Sequence, residues 1–308
     1  MAMGEFSPAF VAGPPDDLQE LQALEAAKLA AYARPSNVRI TNITIPGRET
    51  QIPARLYQPI DADGKLTPGP HPLLVWFHGG AFVFGDIDMG EAEFTSTEIS
   101  SRASAVVVSV DYRLATPNLR FPCCQVDGFD AVAWAIMEAP ELGADKDRIF
   151  VGGASAGACL TGSISLMLRD RGIKVAGFLP IYPVAHSVLP EMNDEVRKAV
   201  EGVHYFVPEF SALHNPWLME GMDADDDHHV WPGEAKDLSG QAPFLIVHAE
   251  KDSLRMTGEP WTKQLRAAGV SVDEFIEPNV PHGYLSFGPD DKGADHTYGL
   301  MARWIKAH

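Results

Sequence analysis

The sequence predicts an α/β fold in which a mostly parallel sheet is flanked by helices on both faces. Two observations support this prediction. Leu73–Phe77 and Ala105–Val110 are continuous apolar, β-branched segments, which are typical of central strands buried on both faces. After them, strand and helix patterns alternate along the chain, and this alternation indicates right-handed crossovers between parallel strands.

The chain before these strands predicts one helix and a pair of strands. Two aspartates precede an Ala/Leu-rich segment that runs to about Arg34, and Pro35 marks its end. Carboxylates suit the first turn of a helix, so we expect a helix here. Val38–Ile45 and Ile52–Tyr57 alternate polar and apolar residues between Pro or Gly, which predicts a hairpin-like pair of strands.

The rest of the chain predicts further strands and helices and one insertion. The predicted elements are strands at Arg148–Val151, Val175–Ile181, Phe244–His248 and Val272–Ile276, and helices at Val126–Glu138, Ala156–Arg169, Glu259–Ala268 and about Ala294–Lys306. The segment from about His186 to Trp231 breaks the alternation. It is aromatic and acidic and contains prolines, and it is long enough to form a lid over the fold.

The composition and charge of the chain argue against several kinds of partner and location. The chain has 308 residues, 45% of them apolar, and a formal net charge of −18, which argues against nucleic-acid and anionic membrane partners. Three cysteines, two of them adjacent, do not form a disulfide framework. No apolar segment approaches the length of a membrane span, and no basic residue precedes Lys28. We therefore expect a cytoplasmic protein.

The strongest chemical signal is Gly153–Gly157, with the sequence Gly-Ala-Ser-Ala-Gly. It follows an apolar strand and opens an apolar helix, as a nucleophile elbow requires: small flanking residues let the chain turn sharply and raise the Ser155 hydroxyl above the sheet edge. A glycine-rich turn with a capping serine is the alternative interpretation.

A second signal lies at His78–Phe82, directly after the strand Leu73–Phe77 and here named the oxyanion loop. Its successive small residues allow main-chain N–H groups to point into a pocket. In acyl transfer such groups bind the negatively charged oxygen of the tetrahedral intermediate, and the N–H of Ala156, after the serine, is a further donor. The two motifs together predict acyl-transfer chemistry more strongly than either alone.

A serine nucleophile needs a base and an acid that orients it. His282 lies in a short turn after the strand Val272–Ile276, and Asp252 lies just beyond Phe244–His248. The chain order serine, acid, histidine is the one that accompanies a nucleophile elbow on an α/β sheet. Glu250 is the rival acid, and we expect it to act in local structure.

Other histidines fit a catalytic role less well. His78 belongs to the oxyanion loop, and His248 ends an apolar strand, which favours a packed core residue. His228 and His229 follow three aspartates, and a metal cluster is one interpretation of them. A solvated lid loop is favoured, so no metal is predicted. Cys159, on the helix after Ser155, is expected to be an inert core residue.

With these residues in place, the sequence resembles the hormone-sensitive-lipase-like family of α/β-hydrolases, also called the bacterial family IV esterases. The resemblance extends from about Ile52 to the C-terminus. It depends on the following motifs: His78–Gly80, Asp111–Ala115, the serine elbow, Glu250 with Asp252, and Pro281–Gly283. We expect the Asp111–Ala115 motif to be structural.

The resemblance implies an α/β-hydrolase fold over residues 1–308 with a helical cap, formed by residues about 1–36 and the insertion at about 186–231. It implies no cofactor, and dimers are common in the family, so a homodimer is one expectation. Its implied site is Ser155 as nucleophile, His282 as base, Asp252 as orienting acid, and Gly79, Gly80 and Ala156 as oxyanion donors. Two positions depart from the family pattern: Ala81 replaces a third glycine, and Ala154 replaces an aspartate.

The function expected from these observations is hydrolysis of short- to medium-chain carboxylic esters, with a small-molecule ester as substrate and an acyl-enzyme intermediate. A ligand-binding relative without catalysis and a small-molecule lyase or cyclase are the alternatives. Candidate substrate-binding residues are aromatic, and packing is an equal interpretation for them: Phe82 and Phe84 beside the oxyanion loop, and Tyr205, Phe206, Phe210, Trp217 and Trp231 in the insertion.

Overall fold

The structure, a computed structural model, describes residues 11–12, 18–116, 118–207 and 229–308. Its strands are β1 (Val11–Ala12), β2 (Val38–Pro46), β3 (Gln51–Pro59), β4 (His71–Phe77), β5 (Val106–Val110), β6 (Ala144–Ala154), β7 (Gly177–Ile181), β8 (Tyr205–Phe206), β9 (Phe244–Lys251) and β10 (Val272–Pro281). Its α-helices are α1 (Leu18–Ala31), α2 (Gly90–Ala103), α3 (Cys123–Glu138), α4 (Ala156–Asp170), α5 (Asp194–Ala199), α6 (Arg255–Ala267) and α7 (Lys292–Ala307). Short 3₁₀ helices lie at Pro232–Glu234 and Tyr284–Phe287.

Eight of these strands form one sheet in the order β10-β9-β7-β6-β4-β5-β3-β2. The six strands from β10 to β5 are parallel to one another, and β3 runs antiparallel to both β5 and β2. The carboxyl ends of the parallel strands therefore meet at one edge of the sheet, where loops can place side chains together. This confirms the predicted fold class, a mostly parallel sheet flanked by helices.

The helices cover both faces of the sheet. On one face α2 and α7 enclose a core that includes Trp76, Phe150 and Tyr298. On the other face α3, α4 and α6 enclose a core that includes Phe77 and Trp261. The central strands β4 and β5 are almost completely buried, which explains their unbroken apolar sequence.

Helix α2 was not predicted from the sequence, although nearly all of its residues are buried. Its sequence, Gly-Glu-Ala-Glu-Phe-Thr-Ser-Thr-Glu-Ile-Ser-Ser-Arg-Ala, has no apolar stripe at helical spacing, because most of the buried side chains are polar. Those polar groups include the carboxylates of Glu91 and Glu93, which are 3% and 2% exposed. The helices and strands that were predicted from the sequence are present, with ends displaced by a few residues.

The insertion after β7 meets the N-terminal segment of the chain. Strand β8 pairs antiparallel with β1 in a separate two-stranded sheet, in which Phe206 is opposite Val11. Much of the insertion, including Phe210, Trp217 and His228, lies outside the described residues, as do the two aspartates expected to begin α1. Among the helices that the structure describes, none is both long enough and apolar enough to span a membrane.

Candidate active site

Ser155 lies in a sharp turn between β6 and α4. Its backbone angles, φ 55° and ψ −116°, place a non-glycine residue in the left-handed region, where strain is expected. The Ser155 N–H donates to the Ile181 carbonyl at 3.0 Å, which ties the turn to the neighbouring strand β7. Such a strained strand-to-helix turn is the geometry predicted for a nucleophile elbow.

The glycines on both sides of Ser155 are required by close backbone approach. A Cβ on Gly157 would clash with the carbonyl oxygens of Phe77 and His78, and a Cβ on Gly153 would clash with the Gly157 carbonyl. These clashing atoms belong to the backbone of β4, the oxyanion loop and α4, so they cannot move aside cheaply. Close backbone packing therefore explains why this chain has glycine at both ends of the Gly-x-Ser-x-Gly pattern.

We expect Gly157→Ala to lower the free energy of unfolding by about 2 kcal/mol or more, because the added methyl group overpacks a buried backbone contact. Urea denaturation measures this change. Gly299→Ala is the matched control: it lies in α7, and its added Cβ would come no closer than 3.2 Å to a flexible arginine side chain. A similar loss of stability in both variants would contradict this explanation of the elbow.

Ser155, His282 and Asp252 form one hydrogen-bonded line. His282 Nε2 lies 2.9 Å from Ser155 Oγ, and His282 Nδ1 lies 2.7 Å from Asp252 Oδ2. Because an ionised carboxylate only accepts, Nδ1 carries the proton and donates to Asp252, which leaves Nε2 to accept from the serine hydroxyl. The second oxygen of Asp252 accepts from the Leu254 N–H at 2.9 Å. The rival acid Glu250 instead accepts from the Asn279 N–H at 2.6 Å.

The surroundings of His282 adjust its basicity. Burial alone would lower the pKa of its imidazole, but the charge and hydrogen bond of Asp252, together with the charge of Glu91, raise the pKa above its usual value. The rings of Tyr182 and Phe206 pack edge-on against the imidazole, with centroids 5.0 Å and 4.9 Å away. The imidazole is thus held between two aromatic rings and hydrogen-bonded through both nitrogens.

One of the three predicted oxyanion donors, Gly79, already has a hydrogen-bond partner. The N–H of Gly79 donates to Glu91 Oε1 at 2.5 Å, so this N–H is engaged by a buried carboxylate. Within the described residues, the N–H groups of Gly80, Ala81 and Ala156 have no hydrogen-bond partner. The available donors are therefore Gly80, Ala81 and Ala156, and Gly79 is replaced by Ala81.

Hydrogen bonds to carbonyl groups fix the two peptides that carry the donors of the oxyanion loop. The Gly79 carbonyl accepts from His78 Nδ1 at 2.7 Å, and in a trans peptide this turns the Gly80 N–H to the opposite side. The Gly80 carbonyl accepts from the N–H groups of Val83 and Phe84, each at 3.0 Å. The Ala81 N–H, in the same trans peptide, therefore points away from Val83 and Phe84. The donors are therefore set in place before any substrate arrives.

Ala81 takes the strained conformation that its position requires. Its φ is 50°, in the region that favours glycine, and Phe82 follows with φ 67°. The sequence departure from a third glycine therefore has a conformational cost, but it keeps the N–H available.

The Asp111–Ala115 motif supports the oxyanion loop, as expected of a structural motif. The Tyr112 hydroxyl donates to the His78 carbonyl at 2.8 Å, and the Ala115 N–H donates to the Phe82 carbonyl at 2.8 Å. The Tyr112 ring also stacks on the His78 imidazole. Burial lowers the pKa of His78 to about 4, so this histidine is a neutral part of the support near pH 7.

The candidate substrate-binding residues that the structure describes take three kinds of position. Phe206 contacts the His282 ring, and its N–H donates to Ser253 Oγ at 2.9 Å, so it lies at the reacting centre. Phe82 is 2% exposed and packs against Phe121 and Trp231, which is a core position. Phe84 and Tyr205 are half-buried.

The remaining chemically reactive side chains have structural partners. His229 pairs with Asp170, and His248 is buried beside Glu274 and Thr262. Cys159 is fully buried, and burial raises the pKa of its thiol well above its usual value. In the described part of the chain, no group of three or more histidine, cysteine or acidic side chains is arranged to hold a metal ion.

Comparison with known proteins agrees with this geometry. Residues 74–286 match the model of a family described by its α/β-hydrolase fold. The chain belongs to that α/β-hydrolase family, in its hormone-sensitive-lipase-like branch. The chain is 33% identical over 298 residues to the carboxylic ester hydrolase LipN of Mycobacterium tuberculosis. This alignment covers 95% of this chain and 77% of LipN. It is 35% identical over 245 residues to the carboxylesterase NlhH of the same species. This second alignment covers 77% of this chain and 72% of NlhH.

Solved structures of esterases have the same fold. A hyperthermophilic esterase from the archaeon Pyrobaculum calidifontis superposes with a TM-score of 0.80 at 29% identity, covering 94% of this chain and 92% of the esterase. The thermostable carboxylesterase EstE1, cloned from a metagenomic library, gives a TM-score of 0.79 at 31% identity, covering 95% and 97% of the two chains. This α/β-hydrolase thus shares its architecture with esterases over nearly its whole length.

Proposed function

We propose that this α/β-hydrolase is a serine carboxylic-ester hydrolase that works through an acyl-enzyme intermediate. One observation carries the proposal: the hydrogen-bonded line from Ser155 through His282 to Asp252 lies beside N–H groups that have no partner among the described residues. That combination supplies a nucleophile, a base, an orienting acid and an oxyanion site, which together are what acyl transfer needs. The carboxylesterase relatives support the same activity.

In the proposed first half-reaction, Ser155 Oγ attacks the ester carbonyl carbon while His282 Nε2 takes the hydroxyl proton. The carbonyl oxygen becomes an oxyanion that accepts from the N–H groups of Gly80, Ala81 and Ala156. The imidazolium formed at His282 is stabilised by the Asp252 carboxylate 2.7 Å from Nδ1. His282 then gives its proton to the leaving alkoxide, the C–O bond breaks, and the acyl group remains on Ser155.

In the second half-reaction a water molecule replaces the alcohol. His282 Nε2 accepts a proton from this water as its oxygen attacks the acyl carbon, and the same three N–H groups bind the second oxyanion. The proton then returns to Ser155 Oγ, the acyl–oxygen bond breaks, and the carboxylic acid leaves. The proposed acyl range is short to medium chains, and the apolar ring of Phe206 beside His282 suits an apolar acyl group.

The proposal includes a cap formed by residues about 1–36 and about 186–231. The pairing of β1 with β8 supports it, because this pairing joins the N-terminal segment to the insertion next to His282. A cytoplasmic location is also proposed, supported by the three cysteines, which are free thiols rather than disulfides.

The test is covalent labelling of the serine together with turnover of an ester panel. A fluorophosphonate probe should add one adduct per chain, detected by intact mass and mapped to Ser155, because the probe needs an activated serine beside an oxyanion site. Esters of p-nitrophenol with two to eight acyl carbons should be hydrolysed. A chain that gains no adduct would be a binding protein, and labelling without ester turnover would indicate the lyase or cyclase alternative.

A further inference from the structure

Glu91 is a buried carboxylate that lies directly behind the oxyanion loop. It is the second residue of α2, and it is 3% exposed. Its Oε1 accepts from the Gly79 N–H at 2.5 Å, and its Oε2 accepts from the Tyr182 hydroxyl at 2.7 Å. A Cβ built on Gly79 would lie 2.6 Å from Glu91 Oε1 and 3.2 Å from Ser155 Cβ. Gly79 therefore lies between this carboxylate and Ser155.

The hydrogen bond from Gly79 fixes the first peptide of the oxyanion loop. The carbonyl of the His78–Gly79 peptide accepts from Tyr112, and its N–H donates to Glu91, so the peptide is held on both sides. Glycine has more backbone freedom than any other residue, and the orientation of the next peptide depends on how Gly79 is held. The next peptide carries the Gly80 N–H.

The other oxygen of Glu91 connects to the base. Tyr182, which donates to Oε2, lies just after β7 and packs its ring edge-on against the His282 imidazole at 5.0 Å. A single carboxylate thus contacts the oxyanion loop on one side and supports a neighbour of the base on the other. Burial raises the pKa of Glu91, and its two hydrogen bonds oppose that rise.

We propose that Glu91 is a positioning residue that holds the oxyanion loop in the conformation presenting the Gly80 and Ala81 N–H groups to the tetrahedral intermediate. The inference depends on the proposed function, because only an acyl-transfer site uses those donors. Glu91 does not touch the substrate: Gly79 lies between them, and the effect passes through its peptide.

Helix α2 also supplies a matched control. Glu93, two residues further along, is equally buried, and it accepts from the Tyr57 hydroxyl at 2.7 Å and from the Arg34 guanidinium at 2.7 Å. It thus resembles Glu91 in burial, helix position and a tyrosine partner. Among the described residues, Glu93 has no hydrogen bond or ion pair with the oxyanion loop or with Ser155, so its loss should affect stability alone.

The experiment compares Glu91→Ala with Glu93→Ala, each with kcat expressed per active site titrated by fluorophosphonate. We expect Glu91→Ala to lower kcat by about 10- to 100-fold, somewhat less than the loss of an oxyanion donor itself, with KM changed less than about 3-fold. Affinity for an alkyl boronic acid, which forms a tetrahedral adduct on the serine, should fall by a similar factor. Glu93→Ala should leave both values within about 2-fold.

Two milder variants keep the test decisive if either alanine variant fails to fold. Glu91→Gln retains an acceptor for the Gly79 N–H and should recover most of the lost kcat, and Tyr182→Phe should give a smaller loss in the same direction. Unchanged kcat and boronic acid affinity in Glu91→Ala, or in Tyr182→Phe where the alanine variant does not fold, would overturn the proposal. So would equal losses in the Glu91 and Glu93 variants.

The rate of fluorophosphonate labelling separates this inference from the proposed function. If the wild-type chain labels at Ser155 but hydrolyses no ester, the proposed function fails, while the labelling rate of Glu91→Ala still reports on the oxyanion loop. A labelling rate that is equal in wild type and Glu91→Ala would overturn the role of Glu91 alone.

Discussion

Ser155→Ala should lower kcat for a p-nitrophenyl ester by about 10⁴- to 10⁶-fold, because the proposed acyl-enzyme forms on Ser155 Oγ. The loss should appear in kcat, since the alanine removes the nucleophile and leaves the surrounding pocket unchanged. Stopped assays with purified protein measure the rate, and intact mass should show no fluorophosphonate adduct on the variant.

Ser165→Ala is the control for this variant. Ser165 is also a buried serine of α4, but its hydroxyl bonds to Gln241 and to the Gly162 carbonyl, away from the elbow. Its activity should stay close to that of the wild type, whatever happens to its stability. If Ser155→Ala kept a rate within 10-fold of wild type, another group would be the nucleophile.

Asp252→Asn should lower kcat by about 10³- to 10⁴-fold and also change the pH profile. Asp252 holds the proton on His282 Nδ1, whereas an asparagine can turn its amide toward that nitrogen and favour the wrong tautomer. His282 must be neutral to accept the serine proton, so kcat/KM of the wild type should rise with pH through an apparent pKa above about 6.5. Removing the negative charge of Asp252 lowers the pKa of His282, so this rise should move to lower pH in the variant.

Glu250→Gln tests the rival acid in the same segment. Glutamine can still accept from the Asn279 N–H, so activity should remain within about 10-fold of wild type, and the acid limb of the profile should not move. A larger loss in Glu250→Gln than in Asp252→Asn would reverse the assignment of the orienting acid.

The sheet and the hydrogen-bonded line from Ser155 to Asp252 could be predicted because each depends on short segments whose sequence pattern is recognisable. Gly153 and Gly157 are required by backbone contacts within a few ångströms of the serine, and this requirement leaves a short motif in the sequence. Asp252 and His282 each follow a strand, and the parallel topology brings the ends of these strands to one edge. Motif order and strand order were therefore sufficient to place all three.

The oxyanion site could be predicted only in part. The motif shows that small residues follow β4, but it does not show which N–H groups face the substrate. That choice depends on Glu91, which binds the Gly79 N–H from a helix 12 residues further along the chain. Helix α2 carries buried polar residues all round and lacks an apolar stripe, so neither the helix nor its carboxylate gave a periodic signal.

The sheet order places the three reacting side chains on strands that are not all neighbours. Ser155 follows β6, while Asp252 and His282 follow β9 and β10, so β7 lies between the nucleophile and the other two. With strands about 4.8 Å apart, the backbone ladder itself sets this spacing, independently of the segment between β7 and β9. A change in the length or sequence of that segment can consequently alter substrate preference while the strands keep the proton-transfer geometry in place.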